Sequence, residues 1–410
     1  MKSFIKVAPD SHFPIQNLPY GIFSTVENPN PRVGVAIGDE ILDLSVIHAL
    51  IEKHVPELGQ KPMIFKESSL NSFMSLGRPI WKAVRKCLQN ILSADNSELR
   101  DDAELRAKAF VAQNLANMHL PAQIGDYTDF YASKEHATNV GTMFRGSDNA
   151  LMPNWTHLPV GYHGRSSSVV VSGTALRRPC GQRLLAKNNP PVFGASIRLD
   201  FELEMAFIIG VGNELGNAIP INKANNHIFG VVLMNDWSGP FLGKNFGTSI
   251  SPWVVTLDAL EPFLVKGPEQ KPEPLPYLRD NGPSAYNVQL EAKIKPYDSN
   301  AYKTVTRSNL KYMYWSFKQQ IAHHTVGGCN MRPGDLCGTG TISGPSEGSR
   351  GSLLELTWNG QNEIDYDNGI KRKFIEDGDE VVLTGYCQGE GYIVGFGDCS
   401  GKILPAINSP

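Results

Sequence analysis

The segment LDFELEMAFIIG (199–210) places Glu202 and Glu204 one residue apart inside an otherwise apolar run, and this restricts the fold more than any other feature of the chain. In a β-strand successive side chains point to opposite faces. The two glutamates then share one face about 7 Å apart, while Phe201, Leu203 and Met205 point the other way. Two carboxylates on so apolar a strand repel each other and call for a counter-charge, unless that face is simply solvated. Two further stretches have the same character, GDYTDFYASKEH (125–136) and MNDWS (234–238). Asp236 ends the apolar run IFGVVLM, where a strand runs out into a loop and ligands are commonly placed. Oxygen donors from Asp129, Glu202, Glu204 and Asp236 together suggest a hard divalent cation. His136, seven residues beyond Asp129, supplies a candidate base. The pattern reads as a metal-assisted hydrolase.

With 410 residues and 41% hydrophobic content the chain can bury a large core. The expected division is a small N-terminal unit with linking helices at 1–118, then a larger catalytic unit at 119–410. A net charge of −3, with both signs scattered, gives no pull toward nucleic acid or an anionic membrane. No apolar run approaches the roughly 20 residues needed to span a bilayer. The opening MKSFIKVAPDSHFP lacks a signal-peptide pattern, so a cytoplasmic location is expected. Six cysteines without a C-x-x-C pair read as free thiols, and zinc is not expected.

Residues 1–50 carry short strand-like runs (GIFSTV, VGVAIGDEILDL), with a hairpin expected at Gly38-Asp39. The segments SLNSFMSLGRPIWKAVRKCLQNIL and DDAELRAKAFVAQNLAN have helical spacing. Beyond them come β-type runs: SSVVVSG, HIFGVVLMND, SPWVVTL, NVQLEAKI, SLLELTW and DEVVLTG. A helix is expected over 308–326. The predicted class is mainly β (α+β), with a small N-terminal barrel and a large β-roll or sandwich bearing a few helices.

If DFYASKEHATN is helical, Asp129 and His136 return to one face about 10 Å apart along the axis. Small Ala132 and Ser133 would then form a floor between metal and base. A capping aspartate and a surface histidine are the plainer alternative. Glu355 in SLLELTW either faces solvent or orients His136 through a hydrogen bond. Arg145 and Tyr162 are candidate clamps for a substrate carboxylate. GYHGRSSS (161–168) is not a nucleophile elbow, and GTGTISG (338–344) matches no phosphate-binding fingerprint. His323-His324 reads as structural.

The combination of IGDYTDFY, H-A-T-N, FRG, LPVGYHGR, DFELEMAF, LMNDWS, GTSISPWVV and RPGD resembles the fumarylacetoacetase family over essentially the whole chain. The resemblance implies an SH3-like N-terminal barrel, a large β-roll, a homodimer, and hydrolysis of fumarylacetoacetate to fumarate and acetoacetate. It implies metal ligation of magnesium or calcium by Asp129, Glu202, Glu204 and Asp236, with Lys244 and Thr248 near the ion. It makes His136 the base, held by Glu355, and assigns substrate contacts to Tyr131, Arg145, Tyr162 and Thr341. One departure stands out: Ser238 runs directly into Gly239-Pro240-Phe241. The family pattern carries roughly a dozen more residues there, including an arginine and a glutamine that help hold an oxyanion, and losing one such donor costs about 10²–10³ in rate. The resemblance therefore leaves open an impaired variant that still folds and dimerises, or a related hydrolase of β-diketo acids.

Overall fold

The apolar runs at 203–209 and 228–236 pair antiparallel at the centre of the molecule, and every residue in both is buried. Near-continuous hydrophobicity of this kind is what a strand needs when both its faces are covered. The computed structural model describes residues 1–184, 189–239, 244–366 and 369–407.

Around this pair an eight-stranded sheet forms in the order 161–164, 127–130, 336–338, 203–209, 228–236, 248–250 and 169–171, with 255–256 also pairing to 228–236. The contacts of 336–338 with 127–130 and of 248–250 with 169–171 are parallel, and the rest are antiparallel. A second, five-stranded sheet contains 303–309, 289–295, 380–388, 393–404 and 176–177.

Side-chain alternation sends the two faces of the central strands into different cores. Leu203, Met205, Phe207, Val231 and Leu233 pack with Ala292, Ile294, Leu383 and Phe396 of the second sheet. Ala206, Ile208, Phe229, Val232 and Met234 face the N-terminal part of the chain, where they meet Tyr20, Phe73 and Trp81. Those residues belong to a five-stranded antiparallel sheet (110–112, 40–43, 32–37, 20–24, 117–119) and the helices beside it. The helix Arg78–Ile91 buries Trp81, Val84, Leu88 and Ile91, one stripe at helical spacing. The class is mainly β (α+β), with the hairpin turning at Gly38-Asp39 between strands 32–37 and 40–43. Among the described residues no helix is long and apolar enough to cross a membrane. All six cysteines are unpaired.

Four local expectations are corrected. DFYASKEHATN is not one helix: Tyr127–Phe130 is a strand, and the helix begins at Lys134 behind the cap residue Ser133. Pairing to strands on both sides claims Asp129 for the sheet. SLLELTW is not a strand, because Leu353–Leu356 forms a short helix capped by Ser352. The helix expected over 308–326 is confined to Phe317–Val326, where Ser316 and Gln319 form a capping box; residues 303–309 are a strand. Finally, the second linking helix stops at Ala109, since Phe110–Ala112 pairs with strand 40–43.

The Phe229 ring lies 5.6, 5.9 and 5.2 Å from the rings of Tyr20, Phe73 and Trp81, joining the central sheet to the N-terminal part. Phe229→Ala should therefore destabilise the protein by about 3–5 kcal/mol. Chemical denaturation measures it, and a loss below about 1 kcal/mol would show that the ring is not a structural joint.

Candidate active site

The sheet order alone brings three of the acids together. Asp129, on strand 127–130, sits in register with Gly338, and strand 336–338 lies beside 203–209, which carries Glu204. Strand 228–236 follows and ends at Asp236, opposite Thr248. Carboxylate oxygens of Asp129, Glu204 and Asp236 all lie within 4.8 Å of one another, and all three side chains are buried.

Gly338 is the floor under this meeting point. A Cβ there would stand 2.9 Å from Asp129 Oδ1, 3.2 Å from Glu204 Oε2 and 2.5 Å from Met234 Cε. Two residues on, the Gly340 N–H donates to both Asp129 Oδ1 (3.1 Å) and Glu204 Oε2 (3.0 Å). Gly340 has φ +76°, and a Cβ there would lie 2.2 Å from the Phe130 carbonyl oxygen, so only glycine fits.

Glu202 stands at the edge of this group. Its Oε2 accepts from Thr341 Oγ1 (2.8 Å) and meets Lys244 Nζ at 2.6 Å. The same ammonium lies 3.1 Å from Asp129, 2.9 Å from Asp236 and 3.7 Å from Glu204. Tyr162 donates to Asp129 Oδ2 (2.8 Å), and Thr248 donates to Asp236 Oδ1 (2.6 Å).

One ammonium leaves this group of four carboxylates under-compensated, and the proton affinities of Glu204 and Asp236 record it. Burial, with Asp129 adding to it, holds Glu204 well above the usual carboxylate range. Burial likewise pushes Asp236 up to about 7 against the pull of Lys244. Burial also works against charge on Glu202, but Lys244 and His136 outweigh it and the group is lowered. The buried Glu204 Oε1 has no hydrogen-bond partner. An all-oxygen donor set, an orphaned buried oxygen and a cradle that a methyl group would fill together fit a hard divalent cation.

The second half of the site is a histidine–carboxylate pair. Ser133 caps the helix Lys134–Arg145 by accepting from the His136 N–H (3.2 Å), which fixes His136 in the first turn. His136 Nδ1 meets Glu355 Oε2 at 2.6 Å, and both side chains are buried. Glu355 also accepts from Asn139 Nδ2 (2.9 Å), Ser343 Oγ (2.9 Å) and Ser352 Oγ (3.1 Å). Burial opposes the imidazolium, but Glu355 overrides it and His136 is raised. Burial opposes the carboxylate too, yet His136 overrides it and Glu355 is lowered. The Tyr131 ring packs edge-on against His136 at 5.3 Å. A backbone bridge between Glu202 and Ser352 ties the metal-type cluster to the segment carrying Glu355.

Asp129, Tyr162, Glu202, Glu204, Asp236, Lys244, Thr248 and Thr341 thus meet at one point, and His136, Glu355 and Tyr131 at another beside it. Arg145 joins neither. Its guanidinium is exposed and donates to the carbonyls of Asn149 (3.1 Å) and Ala150 (2.8 Å). Sequence reasoning missed Gly338, Gly340, Asn139, Ser343 and Ser352. Two of these left a signal: His136 and Asn139 are three apart on one helix face, and Ser352-x-x-Glu355 is a capping pattern. The shortened join after Ser238 runs through residues 240–243, which lie outside the described residues.

Comparison with known proteins covers both parts of the chain. The fumarylacetoacetase N-terminal family matches residues 16–121, and the fumarylacetoacetate hydrolase C-terminal family matches residues 126–403. Fumarylacetoacetase of Rattus norvegicus is 59% identical over 418 residues, covering 99% of this chain and 99% of the relative. The Homo sapiens relative is 58% identical with the same shares, and that of Dictyostelium discoideum is 54% identical, covering 99% and 98%. Because the first alignment runs over 418 positions and this chain has 410 residues, at least eight positions of that relative face no residue here. The solved structure of a fumarylacetoacetate hydrolase from Exiguobacterium antarcticum has a TM-score of 0.51 at 15% identity, covering 95% of this chain and 99% of that one, a likeness of fold alone.

Gly338→Ala should lower divalent-cation affinity at least about tenfold, as disturbed ligand support does. Calorimetry would measure this, and unchanged affinity would mean the cradle is not where a cation sits. A raised His136 and a lowered Glu355 add stability where both are charged. That contribution fades as pH rises through the His136 pKa or falls through that of Glu355. In Glu355→Gln the His136 imidazole should accordingly titrate at lower pH by NMR; a midpoint that stays or rises would contradict the pairing.

Proposed function

The chain belongs to the fumarylacetoacetate hydrolase family, and from that premise and the site geometry we propose that it hydrolyses fumarylacetoacetate to fumarate and acetoacetate, the last step of tyrosine breakdown. The observation that carries the reading is the buried His136–Glu355 pair beside a buried acidic cluster. We assign the metal to Asp129, Glu202, Glu204 and Asp236, with magnesium or calcium as the ion and Lys244 and Thr248 supporting it. When bound, the cation would supply Lewis-acid stabilisation of the diketone oxygens and a template for the substrate.

In this reading His136 works through Nε2, because Nδ1 is engaged by Glu355. Nε2 takes a proton from water, and Glu355 stabilises the imidazolium that results. The hydroxide equivalent attacks the carbonyl on the fumaryl side of the 1,3-diketone. The tetrahedral oxyanion collapses, the C–C bond breaks, and its electron pair leaves with acetoacetate as an enolate. His136 returns the proton to that carbon. Lys244 offers positive charge to developing oxyanions, and Tyr131, Tyr162 and Thr341 supply hydroxyls for substrate carbonyl and carboxylate groups. Arg145 fills its proposed role as carboxylate clamp only by leaving the Asn149 and Ala150 carbonyls.

The remaining parts of the reading are coarser. We propose also a homodimer, a cytoplasmic location and a division between 1–118 and 119–410; the separate matches at 16–121 and 126–403 support the division. A second reading, a folded but slow or inactive variant, is favoured by one observation. Seven residues carry the chain from Asp236 to Lys244 through Ser238-Gly239 with no arginine or glutamine among them, although Lys244 Nζ still reaches Asp236 at 2.9 Å. Inserting the family's segment after Ser238 should raise kcat if this reading holds and leave it unchanged otherwise.

Purified protein with magnesium should bleach the absorbance of the conjugated diketone, and a folded, cation-loaded protein no faster than buffer would remove the hydrolase reading for this chain. His136→Ala should lower kcat by about 10²–10⁴. Its divalent-cation affinity should be unchanged, and joint loss of both would show that base and metal site are not separate.

A further inference from the structure

Asp200 is buried two residues before Glu202, yet it belongs neither to the acidic cluster nor to the histidine pair. Both of its carboxylate oxygens are spent on backbone. Oδ1 accepts from the N–H groups of Phe201 (2.8 Å) and Leu353 (2.8 Å), and Oδ2 accepts from Leu354 N–H (2.6 Å). Leu353 and Leu354 open the short helix that carries Glu355. The first N–H groups of a helix have no partner within it, so an acceptor placed there fixes where the helix starts and how it is turned.

The backbone of Asp200 is tied as well. Its N–H donates to the Ser238 carbonyl (3.0 Å), and Ser238 N–H donates back to the Asp200 carbonyl (3.1 Å). Ser238 lies two residues past Asp236, at the start of the shortened join. One residue therefore holds three pieces: the approach to Glu202 and Glu204, the exit from Asp236, and the helix that aims Glu355 at His136.

We propose that Asp200 is a positioning residue that sets the His136–Glu355 pair against the acidic cluster. It acts through the Leu353 and Leu354 N–H groups and touches neither substrate nor cation. The proposal rests on the hydrolase reading only for its kinetic consequence. Its structural consequence, the engagement of Glu355 with His136, is read independently of turnover.

The test uses Asp200→Ala and Asp200→Asn in the full chain. Asparagine keeps the acceptor for Phe201 and Leu353 but turns an N–H₂ toward Leu354 N–H. Loss of such an outer support should lower kcat about 10–100-fold in the alanine variant and less in the asparagine variant, with KM and manganese affinity by calorimetry nearly unchanged. In both variants the His136 imidazole should titrate at lower pH by NMR, because Glu355 is no longer held against it. Wild-type kcat in a folded variant, or an unmoved His136 titration, would overturn the proposal. So would manganese affinity falling in step with kcat, since Asp200 would then serve the strand and not the pair. If alanine does not fold, the asparagine variant carries the same readouts. If the wild type does not turn over fumarylacetoacetate, the hydrolase reading fails while the His136 titration still decides the role of Asp200.

Discussion

The repulsion among Asp129, Glu204 and Asp236 is the constraint on which the arrangement of this molecule depends. At about 4 Å and an effective dielectric near 20, two like charges repel by about 4 kcal/mol. The three pairs in that trio would then approach the whole net stability of a folded protein, about 5–15 kcal/mol. The chain answers with backbone and side-chain donors from Gly340, Tyr162 and Thr248, and with the Lys244 ammonium. Glu202 is lowered by the lysine, while Glu204 and Asp236 stay raised. That residual imbalance is what a divalent cation would relieve.

Such a cluster survives only on a rigid support. It is placed by strands buried on both faces, with one core behind them and the N-terminal part of the chain in front. The N-terminal sheet contributes no acid to the cluster. Its effect on the site runs through Phe229 and the other residues that cover the outer face of the central strands. The His136–Glu355 pair is held in a different way, by helix caps. Ser133 starts one helix, and Ser352 with Asp200 starts the other. Sheet register positions the acids, and capping positions the histidine–carboxylate pair.

That difference explains what could be read from the sequence. Glu202, Glu204 and Asp236 were legible because alternation and strand ends are local patterns, visible in FELEMAF and LMND. His136 and Glu355 are legible as candidates from the residues themselves, with the family resemblance pointing the same way, but not as a geometry. Asp129 and His136 do not share a helix face; Asp129 is fixed by pairing to strands 336–338 and 161–164, a long-range fact no local period records. SLLELTW reads as a β-type run, although Ser352-x-x-Glu355 carries a capping signal. Gly338 escaped notice because what matters there is the absence of a side chain beneath Asp129 and Glu204, which only the assembled sheet reveals.

The most direct test of this account is a crystal grown with manganese, with anomalous scattering used to locate the ion. The account predicts a single strong peak above Gly338, with oxygens of Asp129, Glu202, Glu204 and Asp236 at about 2.0–2.6 Å. It also predicts that Lys244 Nζ is displaced from its contacts with them. No peak in the cluster, or an ion bound elsewhere with Lys244 still between the four carboxylates, would contradict it.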